Sequence, residues 1–476
     1  MPRRSLDSAL LALDLGTSSV RTALFDARAQ PIPGSGASQT YRMRHTAERG
    51  AELDPAVLLR ATRKCLHQTC RLTTQRPRTI AGSAFWHSLL GLDRAGEPLT
   101  PIYTWADSRG AQDAARLRAE VDEHEIQERT GCMLRASFWP AKLRWLRRTQ
   151  PKLFRRVPRW VSPAEWIFEK IWDVRECSHS MASGTGLYDC SRHDWDDELL
   201  AAVCLTRAHL GLLQDSVERE GARVFPALGD GAASNLGSGA AAPGVVAINV
   251  GTSAAVRTVL AAEARLPFGL FRFVLDEQRF LLGGAVSNAG NLRAWCRREL
   301  HLPNDERALE KLLRQSATAR LTVLPFWVHE RAPSWPEHLD GIIVGLTQAT
   351  TAADLIRATT LAVSCRLADI LELLEGAIGR AKRIVVSGGI LASSASLQIL
   401  ADALGRNFET CADQEASLRG AAVHALGNLG AKVPLPKQGR TIRPKRKNRA
   451  RARENRARQR ELEKLFTPAP APSASS

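Results

Sequence analysis

One short pattern occurs twice in this chain. Residues Ala12 to Leu24 read A-L-D-L-G-T-S-S-V-R-T-A-L, and residues Ala247 to Leu260 read A-I-N-V-G-T-S-A-A-V-R-T-V-L. Each copy is an apolar run, a Gly-Thr-Ser turn and a second apolar run, which is the pattern of two strands joined tightly. Such a turn presents backbone N–H groups and hydroxyls to phosphate oxygens. Asp14 in the first copy is replaced by Asn249 in the second, 235 residues later in a chain of 476. A duplicated scaffold with one acidic and one neutral loop implies a nucleotide held between two domains, with a metal on the acidic side.

The length sets an expectation of two or three domains. A 44% hydrophobic content and 11 Trp supply a large core and exclude a disordered chain. The nine cysteines are scattered with no C-x-x-C pair, which excludes a zinc ribbon or disulfide framework and points to a reducing, cytoplasmic setting. Arg3 and Arg4 precede an apolar stretch that Asp14 interrupts, so no secretion signal is expected, and no run of 18 apolar residues predicts a membrane span. Much of the net charge of +17 is local: Lys437 to Arg460 holds 12 Lys/Arg against one acid, Glu454.

Periodicity predicts a helix from about Pro55 to Thr74, a buried strand over 79–85 and a second strand over 89–92. It also predicts a helical insertion over 111–129, a long helix over 352–378 and a strand over 383–387 ending at a glycine turn. Helices are expected over 396–404 and 415–426. Ala416, Ser417, Gly420, Ala421 and Ala422 in the second would permit close packing. Strands alternating with helices in both halves give an α/β fold. The division expected is 1–240, 241–436 and a tail, 437–476. Within the tail, Lys445 to Phe466 reads as a helix packing through Leu462, Leu465 and Phe466, and 467–476 as disordered.

Four segments carry chemistry. A carboxylate at a strand end, Asp14, can hold Mg²⁺ directly or through water, and the Thr17 and Ser18 hydroxyls can donate to phosphate. Asp230 stands among small residues in Leu228 to Gly239, read as a loop, with room to accept a proton from a substrate hydroxyl. The third, Phe85-Trp86-His87-Ser88 with Trp105, Asp107 and Arg109, mixes aromatic faces with polar groups, as a polyol requires. Gly388-Gly389 follows a strand, where a base or ribose can lie against bare backbone.

In this order, from about Leu11 to Leu426, the segments resemble the FGGY family of carbohydrate kinases, of the hexokinase/actin ATPase superfamily. Further matches are Lys142 to Leu146, Ala182 to Asp189, Leu324-Pro325-Phe326, Gly341 to Leu346 and Glu415 to Ala421. The resemblance implies an α/β fold of two actin-like (ribonuclease H-like) domains with an interdomain active-site cleft. It also implies ATP and Mg²⁺, and phosphorylation of a sugar or sugar acid. Phe85 to Leu89 and Ser183 to Leu187 look most like gluconokinases, making D-gluconate to 6-phosphogluconate the expected reaction. A xylulokinase or other pentulose or polyol kinase is the neighbouring alternative. Carried over by position, Asp14 is Mg²⁺-associated, and Thr17, Ser18 and Arg21 contact ATP phosphates. Asp230 is the base, Gly251 and Thr252 form the second phosphate loop, Gly388 and Gly389 meet the adenosine, and Trp86, His87 and Trp105 line the sugar pocket.

Departures from the family pattern are Phe85-Trp86 where Gln-Met is usual, Gly231 after the catalytic Asp, Leu361 for an acid, and Ser393 or Ser394 for an Asn. The resemblance implies no membrane partner and allows a homodimer. Outside this class stands nucleic-acid binding through the basic tail, set against a solvated helix packed on the body.

Overall fold

The computed structural model describes residues 9–73, 76–262, 264–315, 321–411 and 415–467. Contacts divide the chain into two compact units. One comprises residues 1–243, 258–282 and 415–437, the other 244–257, 283–414 and 438–476.

The first unit is built on a six-stranded sheet. Its strands are β1 (Leu10–Leu15), β2 (Ser19–Phe25), β3 (Ala37–Thr40), β4 (Thr79–Ala84), β5 (Val217–Arg219) and β6 (Ala222–Gly229). Their order across the sheet is β5-β6-β4-β1-β2-β3. β1 pairs with β2 as the antiparallel hairpin that the first Gly-Thr-Ser turn predicts, and with β4 in parallel. β6 also runs parallel to β4. Every residue of β1 is buried, as a central strand covered on both faces demands. Helix α1 (Pro55–Cys70) links the hairpin region to β4, capped by Asp54 with Pro55 in its first turn.

The loop expected over 228–239 is instead a helix, α2 (Asp230–Gly237), with Asp230 its first residue. Two glycines, Ser234 and Asn235 within eight residues are weak evidence for a helix, and this one is stabilised by packing. Helix α6 (Ala416–Asn428) crosses it so closely that a Cβ on Gly420 would stand 1.7 Å from the Ala233 carbonyl oxygen. One on Gly237 would stand 1.8 Å from that of Ala416. The small residues of the α6 segment thus serve the expected role. The insertion at 111–129 is two helices, Ala111–Glu120 and Glu123–Thr130, because Val121 is extended and Asp122 caps a new start.

The second sheet contains β7 (Val245–Val250), β8 (Ala254–Leu260), β9 (Phe271–Asp276), β10 (Arg279–Val286), β11 (Arg383–Ser387), β12 (Phe408–Cys411) and β13 (Gln438–Ile442). Their order is β9-β10-β8-β7-β11-β12-β13. β7 and β11 are parallel neighbours, as β1 and β4 are. The second unit holds β7, β11, β12 and β13 whole, with helices α3 (Gly290–Glu299), α4 (Ala352–Ile378) and α5 (Ser394–Leu404).

The basic tail forms helix α7 (Arg446–Phe466), seated differently from expectation. Leu462 packs beside Phe326, but Leu465 and Phe466 are exposed. The inward face is Ala452, Asn455, Gln459 and Glu463. Asn455 donates to the Leu321 carbonyl (2.8 Å), Gln459 to that of Val323 (3.1 Å), and Glu463 accepts from Arg366 (2.6 Å). Residues 468–476, read as disordered, lie outside the described residues. All nine cysteines are free thiols, and no helix among the described residues is long and apolar enough to cross a membrane.

Candidate active site

In the first unit the three candidate segments leave the same end of three adjacent parallel strands. Asp14 sits in the last turn of β1, Phe85-Trp86-His87 follows β4, and Asp230 follows β6. The carboxyl ends of parallel strands are where open α/β sheets bind ligands. Asp14 pairs across the ladder with Ser83, which Leu228 faces from the other side. β1 and β6 flank β4, so the backbones bearing the two acids stand roughly 10 Å apart at ordinary strand spacing.

Asp14 is 8% exposed. Burial pushes its carboxyl up to about 7; Ser83 and Arg21 pull it back in part, while Asp230 and Glu415 add to the rise. The Ser83 hydroxyl beside it is fully buried and makes no hydrogen bond of normal geometry. Arg21, opposite Asp14 on β2, is held by Glu415 at 2.8 Å. Thr17 is half-buried and Ser18 exposed at the turn. Tyr41, which the sequence reading missed, brackets that turn: its hydroxyl donates to the Gly16 carbonyl and its N–H to that of Ser18 (3.0 Å).

Asp230 occupies the first turn of α2, where the helix terminus favours a negative side chain. It accepts from the Gly231 N–H at 2.7 Å. Trp86 packs directly behind: a Cβ on Gly229 would stand 1.7 Å from its ring, and one on Gly184 2.3 Å. Two glycines therefore accommodate one indole, whose Nε1 donates to the Ser180 carbonyl at 2.9 Å. Trp86 is 5% exposed, a wall of the site with its donor already used.

His87 adopts a left-handed backbone, φ 65°, a strain that must be held by its surroundings. Its Nδ1 lies 2.5 Å from the Gly184 carbonyl, which can only accept. Nδ1 therefore carries a proton, and in the neutral ring Nε2 is the acceptor, the polarity a substrate hydroxyl needs. Lys142 fixes the turn: its buried Nζ donates to the carbonyls of His87 (3.3 Å), Ala136 (3.2 Å) and Ser137. Burial pulls this ammonium down to about 7. Trp105 is half-buried next to a closed ion cluster in which Arg109 joins Glu52 (2.7 Å) to Asp107 and lies 4.4 Å over the Trp145 ring.

In the second unit the arrangement recurs. Gly251-Thr252-Ser253 follows β7 and Gly388-Gly389 follows its parallel neighbour β11. Asn249 pairs with Ser387, and its Nδ2 donates to the Ser387 hydroxyl at 3.0 Å. Gly388 has φ 92°, and a Cβ there would approach the Val250 carbonyl oxygen to 2.5 Å, so glycine is required. The loop docks on the N-terminus of α3 through the Gly290 N–H to Gly251 (3.0 Å) and the Asn291 N–H to Thr252 (3.1 Å). A cavity of about 450 Å³ opens here, lined among others by Thr252, Gly290, Arg293, Thr360, Gly389 and Ser393. That size suits a nucleoside.

Residues 9–238 match the N-terminal domain, and 246–428 the C-terminal domain, of the FGGY family of carbohydrate kinases. The chain belongs to this family. It is an ATP-dependent carbohydrate kinase of the actin-like ATPase superfamily fold. A gluconokinase of Bacillus subtilis is 28% identical over 459 residues, covering 89% of this chain and 88% of the relative. A xylulose kinase of Streptomyces coelicolor is 28% identical over 440 residues, covering 88% of each. Among solved structures, a xylulose kinase and a gluconate kinase from Lactobacillus acidophilus superpose with TM-scores of 0.88 and 0.87, each at 23% identity over 96% of this chain and 98% of theirs.

For this FGGY kinase the serines in place of the usual Asn have a visible task. The hydroxyls of Ser393 and Ser394 both donate to Glu310, and Ser393 also caps α5. Arg293 and the α3 N-terminus were missed in the sequence, because Gly290 stands alone there without a strand-turn signature or an acid. Their place beside the cavity follows only from the docking of the second loop.

Proposed function

We propose that this kinase transfers the γ-phosphoryl group of ATP to a hydroxyl of D-gluconate, giving 6-phosphogluconate. The observation that carries the reading is the clustering of Asp14, His87 and Asp230 at one end of β1, β4 and β6. Asp230 accepts the hydroxyl proton as oxygen bonds to phosphorus and ADP leaves. His87 Nε2 accepts a second substrate hydroxyl, Trp86 walls the pocket, and Trp105 offers an aromatic face to C–H surfaces. Thr17, Ser18 and Arg21 contact phosphates from the first loop, and Gly251 and Thr252 from the second. Gly388 and Gly389 lie against the adenosine.

Asp14 is the residue that would hold Mg²⁺. A buried carboxyl raised to about 7, which Ser83 and Arg21 offset only in part, is a place where a cation and its waters would be favoured. Among the described residues no cluster of three or more His, Cys, Asp or Glu forms a cage, and Mg²⁺ held by one carboxylate, water and substrate phosphates needs none. When bound, Mg²⁺ offsets charge on the phosphoryl oxygens.

Gluconate is supported by the gluconokinase relatives. A neutral pentulose is favoured by one observation: Lys142 is committed to three carbonyls and Arg109 to two acids, so neither is spare for a substrate carboxylate. Steady-state kinetics with Mg-ATP and D-gluconate, D-xylulose or glycerol decide between them. The proposal expects kcat/KM for gluconate at least tenfold above the others; a higher value for xylulose installs the second reading.

A further inference from the structure

Docking of the tail accounts for only part of its charge. Along α7 from Glu454 to Arg460 the three arginines are paired: Arg456 and Arg460 with Asp369 and Glu372, and Arg458 with Glu454. From Arg440 to Arg453 there are eight Lys/Arg and no acid. None of these eight has an ion pair among the described residues. Arg440, Arg443, Lys445, Arg446, Lys447 and Arg453 are exposed.

The other two are half-buried, and Arg449 Nε and Arg451 Nη2 are buried N–H groups without an acceptor. Burial, and then the charge of Arg451, hold the nearby Arg357 guanidinium below its usual range. A folded surface that gathers like charges in this way bears a repulsive cost that an external polyanion would remove.

We propose that β13, the exposed edge strand of its sheet, and the first two turns of α7 form a binding surface for a nucleic-acid backbone. The eight charges run over roughly 28 Å of contour, five strand-like steps and eight helical ones, so neighbours are on average roughly 4 Å apart. That is close to the axial rise of about 3.4 Å per phosphate on one duplex strand. Recognition is of phosphate and not of sequence, because no aromatic side chain lies between Arg440 and Arg453 to stack on a base. A bilayer fits less well. Helices that lie on membranes bury an apolar face along their length, whereas the inward face of α7 is occupied by its own unit. Its exposed Leu465 and Phe466 stand at the far end, roughly 18 Å from Arg453 at helical rise.

The test uses the full-length protein and a variant, R440Q/R443Q/K445Q/R446Q/K447Q, changed only at exposed positions outside the catalytic machinery. Fluorescence anisotropy with a labelled 25-nucleotide single-stranded RNA and a 25-base-pair DNA is read from 50 to 300 mM KCl. Flotation with phosphatidylserine vesicles runs in parallel, and kinase turnover reports the fold. Wild type should bind nucleic acid with a steep salt dependence. The variant should bind at least tenfold more weakly at 50 mM, with a slope flatter by about 2 or more and unchanged turnover. The two nucleic-acid arms tell single strand from duplex. Equal affinity and slope for both proteins, no nucleic-acid binding by wild type, or binding to vesicles alone would overturn the proposal.

Discussion

The two Gly-Thr-Ser turns began as copies and now hold different electrostatic states. In the second, Asn249 stands across the ladder from Ser387 and donates to its hydroxyl, so the pair is complete within the protein. In the first, Asp14 stands across from Ser83 in the same arrangement, but the serine hydroxyl makes no hydrogen bond of normal geometry, and burial pushes the carboxyl up to about 7 although Ser83 pulls it back in part. One Asp-to-Asn difference separates a neutral, satisfied contact from a buried titratable one. Buried polar groups left unsatisfied are costly, and persist where function uses them. On the proposed reading, the acidic loop takes the metal-associated role and the neutral loop serves only as a turn with hydroxyls.

Replacing Asp230 by Asn should have the largest effect, because it removes the only proposed proton acceptor while keeping the shape. We expect kcat to fall about 10³-fold or more, with the KM for ATP changed less than threefold. Near-normal turnover would remove Asp230 from the base role. Next comes the reciprocal pair. D14N should lower kcat by about 10²-fold, whereas N249D, which sets a carboxylate opposite Ser387, should cost about tenfold and mostly in the KM for ATP. Equal losses in kcat would erase the asymmetry between the loops. An effect between those two is expected from G229A: the new methyl group collides with Trp86, shifts the backbone before Asp230 and lowers kcat about 30-fold. The double variant W86M/G229A should recover most of that loss; failure to recover would show that Trp86 does not position the base.

What could be read in advance was whatever a local rule enforces. The strand-turn-strand repeat was legible because tight turns select glycine and small hydroxyl residues, and the packing of α6 because small residues at helical spacing have few other uses. The helix bearing Asp230 was misread as a loop. Gly231, Ser234, Asn235 and Gly237 lower its intrinsic helicity despite its alanines, and it exists because Gly420 and Ala233 let α6 press against it. The tail was predicted as a helix but given the wrong face. Leu465 and Phe466 look like an apolar anchor, while Asn455, Gln459 and Glu463, spaced four apart, look solvated. Their partners are carbonyls and an arginine more than 90 residues away, which no local pattern reveals. Tyr41 and Lys142 were silent as site elements for the same reason: each acts through backbone carbonyls brought near by the fold.

The central claim is that the first loop stores an unsatisfied acid, and it is tested most directly by the ligand-free stability of D14N and wild type as a function of pH. With a carboxyl near 3.8 unfolded and about 7 folded, the native state binds the extra proton between those values. Wild-type stability therefore declines as pH rises through that window. D14N lacks this dependence, so urea unfolding from pH 4 to 8 should show it gaining on wild type, by at most about 4 kcal/mol. A difference between the two proteins that stays flat across that range would contradict the account.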